Sequence, residues 1–134
     1  MHNLNLTQDY LKRACARLKA LQVLFDNHSY ADVVREAQEI IELCLKAVLR
    51  QSNIEPPRTH DVSQVLLDHQ EQLPQTIQNH VKKLSKISKS LRRDRELAYY
   101  GSEDLTPSDF YQEEDGKDAL ESAQFTYEVC KTIL

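Results

Sequence analysis

A chain of 134 residues suits one domain with its own core and leaves no room for two independent ones. Only two glycines and four prolines, against abundant Leu, Ala, Glu, Gln and Lys, exclude a hairpin-rich fold and favour an all-α one. The net charge of −4 conceals an asymmetry: residues 82–95 hold seven basic residues and one acid, a segment of +6 on a body of −10, as expected of a face that meets polyanions or an acidic partner.

The first predicted helix starts after Thr7, whose hydroxyl can cap free backbone N–H groups. Its apolar stripe is Leu11, Ala14/Cys15, Leu18, Leu21, Val23 and Phe25, and Asn27 with His28 ends it. Ser29 caps the second helix, Tyr30 to about Ser52, with Asp32 as a favourable first-turn acid. Its stripe of Val33, Ala37, Ile40/Ile41, Cys44, Leu45 and Val48 is the longest clean apolar face in the chain and belongs at the centre of the core. The paired prolines of NIEPPRTHDV stop it. A short helix follows, capped by Asp61 and carrying Val62, Val65 and Leu66, and Pro74 closes it or opens the next.

The fourth helix is predicted from about Gln75 to Tyr100, with Ile77, Val81, Leu84, Ile87, Leu91 and Ala98 inward and Gly101 past its end. SEDLTPSDFYQEEDG reads as a polar, acidic loop, and the last helix runs from about Lys117 to Leu134 with Leu120, Ala123, Tyr127, Cys130 and Leu134 inward. The expected fold is an up-and-down bundle of four long helices plus one short helix, forming a single domain over residues 1–134.

No apolar run approaches the ~20 residues that span a bilayer, and MHNLNLTQDYLKR lacks the features of a signal peptide, so a soluble cytoplasmic protein with no membrane contact is expected. Cys15, Cys44 and Cys130 sit among apolar residues at helical spacing and read as reduced core residues. His2, His28, His60, His69 and His80 form no metal-ligand pair, and there is neither a glycine-rich phosphate loop nor a GxSxG elbow. Neither a metal nor a cofactor is expected.

On a helical wheel Lys82, Lys86, Lys89, Arg93 and Tyr100 fall within a sector of roughly 60°, with Ile77, Leu84, Leu91 and Ala98 nearly opposite. Arg92 and Arg95 add to the positive charge. Arginines bind phosphate in bidentate fashion, so the polar face of this helix is a candidate phosphate-binding surface.

Four segments in order, YADVVREAQEIIELCLKAVLRQ, EPPRTHDV, ISKSLRRDRELAYYG and an acidic loop leading to DALESA, resemble the HEPN family, small helical proteins often found beside minimal nucleotidyltransferases. The resemblance implies a helical bundle that forms a homodimer. It also implies either a metal-independent ribonuclease toxin of a toxin–antitoxin pair or a non-catalytic relative that binds RNA or a nucleotide. The family's catalytic signature is an arginine, a polar residue directly after it, and a histidine four to six residues beyond the arginine, followed in one subgroup by a tyrosine that the partner nucleotidyltransferase modifies with AMP. These positions carry over to Arg93, Asp94, Ala98 and Tyr100, so alanine stands where the histidine is expected. Alanine can neither donate nor accept a proton. The resemblance therefore implies a phosphate-facing site without its proton-transfer group.

Overall fold

A computed structural model describes residues 4–58, 62–100 and 106–134, with Leu4 and residues 92–100 described as backbone alone. All regular structure among the described residues is helical. The long helices are α1 (Leu4–Asp26), α2 (Tyr30–Gln51), α5 (Val81–Tyr100) and α7 (Glu113–Cys130). The short ones are α3 (Val62–Asp68), α4 (Gln75–Gln78) and α6 (Pro107–Phe110), and 3-10 turns occupy Gln70–Gln72 and Lys131–Ile133.

Side-chain pairings fix the directions of the long helices. Arg17 of α1 pairs with Glu36 of α2 at 3.1 Å, and Arg50, near the end of α2, lies 5.9 Å over the Tyr10 ring, so these helices are antiparallel. Gly116 at the start of α7 abuts Tyr30 at the start of α2, and Cys130 hydrogen-bonds Cys44, so α2 and α7 run parallel. His80 and Lys83, at the start of α5, both contact Phe125 near the end of α7, which sets α5 antiparallel to α7. The chain thus goes up and down through α1, α2, α5 and α7.

α2 is the centre. Twelve of its 22 residues are buried, from Ala31 to Leu49. They cover an arc of roughly 200° at 100° per residue, twice the stripe that a surface helix presents. Helices α1, α5 and α7 all pack on this arc. Both ends of the α1–α2 pair close without glycine: His28 (φ 59°) and Asn53 (φ 62°) take the left-handed conformation. Ser29 N donates to Leu24 O at 3.0 Å and Ile54 N to Leu49 O at 2.8 Å, which satisfies carbonyls that the helices leave open.

Several sequence expectations are corrected. Thr7 is buried inside α1, which begins at Leu4, so it caps nothing; Val23 points to solvent, because the buried stripe is Leu11, Ala14 and Leu21. Ser29 does occupy the position before α2, but its hydroxyl donates to Asp32 Oδ2 at 2.7 Å instead of accepting from the helix. Asp61, Gly101 and His60 lie outside the described residues. The expected helix from Gln75 is two: α4 ends at Gln78, and α5 starts afresh at Val81. The acidic loop contains α6, whose Thr106 hydroxyl accepts from Asp109 N at 3.2 Å, and α7 begins at Glu113, four residues early. Asp115 accounts for that early start, since its Oδ2 accepts from Gln112 N at 2.8 Å and holds the first turn closed. Leu134 is exposed, because α7 ends at Cys130 and a 3-10 turn redirects the last residues.

The buried face of α5 is also rotated from the expected one. Its core residues are Val81, Leu84, Ser85 and Ser88, whereas Ile87 and Leu91 are half-buried at the flank. Two serines in the buried face leave room for close approach, and Ser85 satisfies its hydroxyl by donating to Ser63 O of α3 at 3.1 Å. α5 is thereby seated on α2 and α3 and makes little contact with α7.

A Cβ at Gly116 would stand 2.6 Å from Tyr30 Cδ1 and 3.3 Å from Tyr30 Cβ. The Tyr30 ring is itself held edge-on to Phe25 at 5.7 Å, so it has little freedom to retreat. Gly116→Ala should therefore lower stability by about 1–3 kcal/mol in urea unfolding, although alanine is the better helix former by about 1 kcal/mol.

The three cysteines carry free thiols where α1, α2 and α7 meet. The hydrogen bond to Cys44, and then burial, push the Cys130 thiol well above its ordinary value. The hydrogen bond to Cys15, followed by burial, lifts the Tyr127 phenol to about 12. An unfolded chain ionises thiols near ~8.5 and phenols near ~10, while the folded protein still holds those protons. The stability these two groups contribute should be fully present below about pH 8 and be lost progressively as pH rises toward about 12. Urea midpoints measured across that range check this, and Cys130→Ala should remove the earlier part of the fall.

Candidate functional site

The seating of α5 leaves a groove of about 710 Å³ between it and α7. One wall is α5, where Lys82, Lys83 and Lys86 line the cleft together with Ser90. The opposite wall is α7, which contributes Asp115, Asp118 and Ser122. Val34 of α2 lies at the bottom with Ile87, Leu91 and Ala119, and buried Tyr111 contributes at the end where α6 leads into α7. Three lysines thus line one wall and two aspartates the other, over an apolar floor.

Among the described residues no ion pair of 4 Å or less joins the two walls; the cross-helix ion pair is Arg17–Glu36, on the far side of α2. Asp115 has one local role already, accepting from the Gln112 backbone. Lys83 is the best-anchored cation of the groove: its Nζ lies 3.8 Å from the centroid of the Phe125 ring. His80 meets the same ring edge-on at 5.5 Å, so Phe125 fixes the start of α5 against the end of α7. The arrangement can hold an anion against the lysines and, across the cleft, groups that donate hydrogen bonds to carboxylates.

Of the residues picked out by sequence, Lys82 and Lys86 fall in the groove. Lys89 is exposed and does not line it, although it shares a helix face with Lys82. The α5 backbone continues as helix through Arg92, Arg93, Asp94, Arg95, Ala98 and Tyr100, whose side chains lie outside the described residues. Sequence reasoning missed Lys83, Asp115, Asp118 and Ser122. Lys83 was visible as part of the basic run, but no local signal tells that the acidic start of α7 faces it.

Among the described residues Lys82 and Lys86 make no ion pair, and both are exposed, so changing either to alanine should move stability by less than about 0.5 kcal/mol. Lys83→Ala should cost more, up to about 1 kcal/mol, because it uncovers the Phe125 ring. Thermal unfolding of the three variants side by side checks the order.

The sequence model of the HEPN domain matches residues 7–133. The fold is similar to the crystal structure of TT1696 from Thermus thermophilus, with a TM-score of 0.66 and 22% sequence identity over 98% of this chain and 100% of that one. At that identity the likeness concerns the fold alone. No curated protein is detectably similar.

Proposed function

Since the chain belongs to the HEPN domain family, we propose that it is a toxin-like HEPN component that binds RNA or nucleotide phosphate and pairs with a minimal nucleotidyltransferase. The observation that carries this reading is the lysine wall of α5, free of ion pairs with the facing aspartates among the described residues, on the helix that continues into Arg92, Arg93 and Arg95. Unneutralised cations along one helix attract a phosphate backbone and release its counterions on binding.

In this reading Arg93 holds a phosphate, Asp94 supports the arginine, and Tyr100 contacts phosphate or receives a modification from the partner enzyme. Ala98 occupies the position of the family's histidine and moves no proton, so binding outweighs strand cleavage. Two copies associate as a homodimer that brings both arginine segments to one RNA.

RNA binding measured against salt tests the reading. Changing Lys82 and Lys86 together to alanine should weaken binding several-fold and reduce the log–log salt slope by about 0.7 for each phosphate that is no longer neutralised. An unchanged slope would remove the lysine wall from the interface. Cleavage of structured RNA by the purified protein, abolished in Arg93→Ala, would instead establish an active ribonuclease. Co-purification with a neighbouring nucleotidyltransferase, and added AMP mass that Tyr100→Phe prevents, tests the pairing.

A further inference from the structure

The seam between α2 and α7 carries reactive groups that the basic face of α5 does not use. These parallel helices run in step: Tyr30 lies against Gly116, and fourteen residues further along both helices Cys44 meets Cys130. Fourteen residues are two heptads, the repeat that keeps one seam facing another along packed parallel helices. The layer midway is Ala37 and Ala123, both fully buried. Glycine and alanine in these layers draw the backbones together, so closely at Gly116 that a Cβ there would stand 2.6 Å from Tyr30 Cδ1. Closely packed helix axes stand about 8 Å apart, with Cα atoms about 2.3 Å off each axis, so facing Cα atoms can reach the roughly 4.4–6.8 Å that a disulfide spans.

We propose that Cys44 and Cys130 form a dithiol site, aligned by the heptad register of α2 and α7, which a small hydroperoxide converts to a disulfide that ties α7 to the central helix. Both residues are fully buried, so the oxidant that reaches them is small and uncharged, as hydrogen peroxide is. Cys15, on α1, is half-exposed and engaged with the Tyr127 phenol, so it stands outside the pair. With Cys130 held as the thiol by its hydrogen bond to Cys44 and by burial, Cys44 supplies the attacking sulfur. Its thiolate attacks one peroxide oxygen and the O–O bond breaks, leaving Cys44 as the sulfenic acid; the released hydroxide takes up the proton that Cys44 lost. The Cys130 sulfur then attacks the sulfenic sulfur, the S–S bond forms as the S–O bond breaks, and the hydroxyl leaves with the Cys130 proton as water. Two thiols and one peroxide thus give one disulfide and two waters, the two electrons passing from sulfur to peroxide. A dithiol reductant reverses the bond by thiol–disulfide exchange.

The test treats the full folded chain with hydrogen peroxide, blocks the remaining thiols with an alkylating agent in urea, and maps the tryptic peptides by mass. The expected product joins residues 36–46 to residues 118–131, with the mass of two hydrogens lost and the peptide of residues 14–17 absent from the link. The same link should form in Cys15→Ala, and dithiothreitol should restore every thiol. Treatment of the chain already unfolded in urea should instead favour Cys15 with Cys44, the pair nearest in sequence, because the shorter loop closes at a smaller entropic cost. The oxidised protein should unfold at a higher urea concentration than the reduced one, since the bond restrains the unfolded chain without distorting aligned helices. A link through Cys15 in the folded protein, a link between two chains, or Cys44 and Cys130 still free to alkylate after Cys15 has been oxidised would each overturn the proposal. So would a Cys44–Cys130 link that lowers the urea midpoint, because helices that must shift to accept the bond were not aligned for it.

Discussion

The burial of α2 on an arc of roughly 200° is the constraint on which the rest of the structure depends. A helix that is apolar over so wide an arc cannot be covered by one neighbour, because helix pairs share only a stripe of contact. It must be flanked by several, and α1, α5 and α7 divide the arc among them. Each flank is fixed by one or two specific contacts as well as by apolar packing. Arg17–Glu36 registers α1, the Gly116–Tyr30 contact lets α7 lie close, and Ser85 bonded to Ser63 O seats α5 toward α3.

The groove is a consequence of that division. Because the inner face of α5 carries small serines at 85 and 88, the helix settles onto α2 and α3, and its other flank does not close on α7. The space left open is bounded by whatever the two helices happen to present there. On α5 this is lysine, and on α7 it is the acidic first turns that also help start that helix. Asp115 therefore serves two purposes, closing the backbone of its own first turn and facing the lysine wall.

Much of the fold was legible in the sequence, because periodicity survives whatever the neighbours do. The stripe of α2 from Val33 to Val48 is buried as its spacing implied, and the family signature in YADVVREAQEIIELCLKAVLRQ and ISKSLRRDRELAYYG agrees with the match over residues 7–133. Where reading failed, a competing local interaction had won. Thr7 looked like a cap but is enclosed by the bundle, and the loop before α7 shortened because Thr106 and Asp115 each close a turn that hydropathy cannot reveal. On α5 the pattern of large apolar residues pointed to Leu84 and Leu91, yet the buried face centres nearer Ser85 and Ser88. Hydrophobicity ranks serine as a surface residue, so a face made partly of small polar groups is invisible until its hydrogen-bond partner is known.

The sequence by itself determined the helical class, the centrality of α2, the concentration of positive charge on residues 82–95 and the alanine at position 98, since each is a property of composition or spacing along one element. Only the tertiary structure decided that Lys82, Lys83 and Lys86 face Asp115 and Asp118 across an open cleft. The physical reason is that a helix specifies its own faces through its period, whereas the rotation of one helix against another is set by which side chains fit and which hydrogen bonds close between them. A turn of α5 by one residue would have carried the lysines away from α7 with little change in the sequence pattern. The charge was written in the chain; its counterpart was placed by packing.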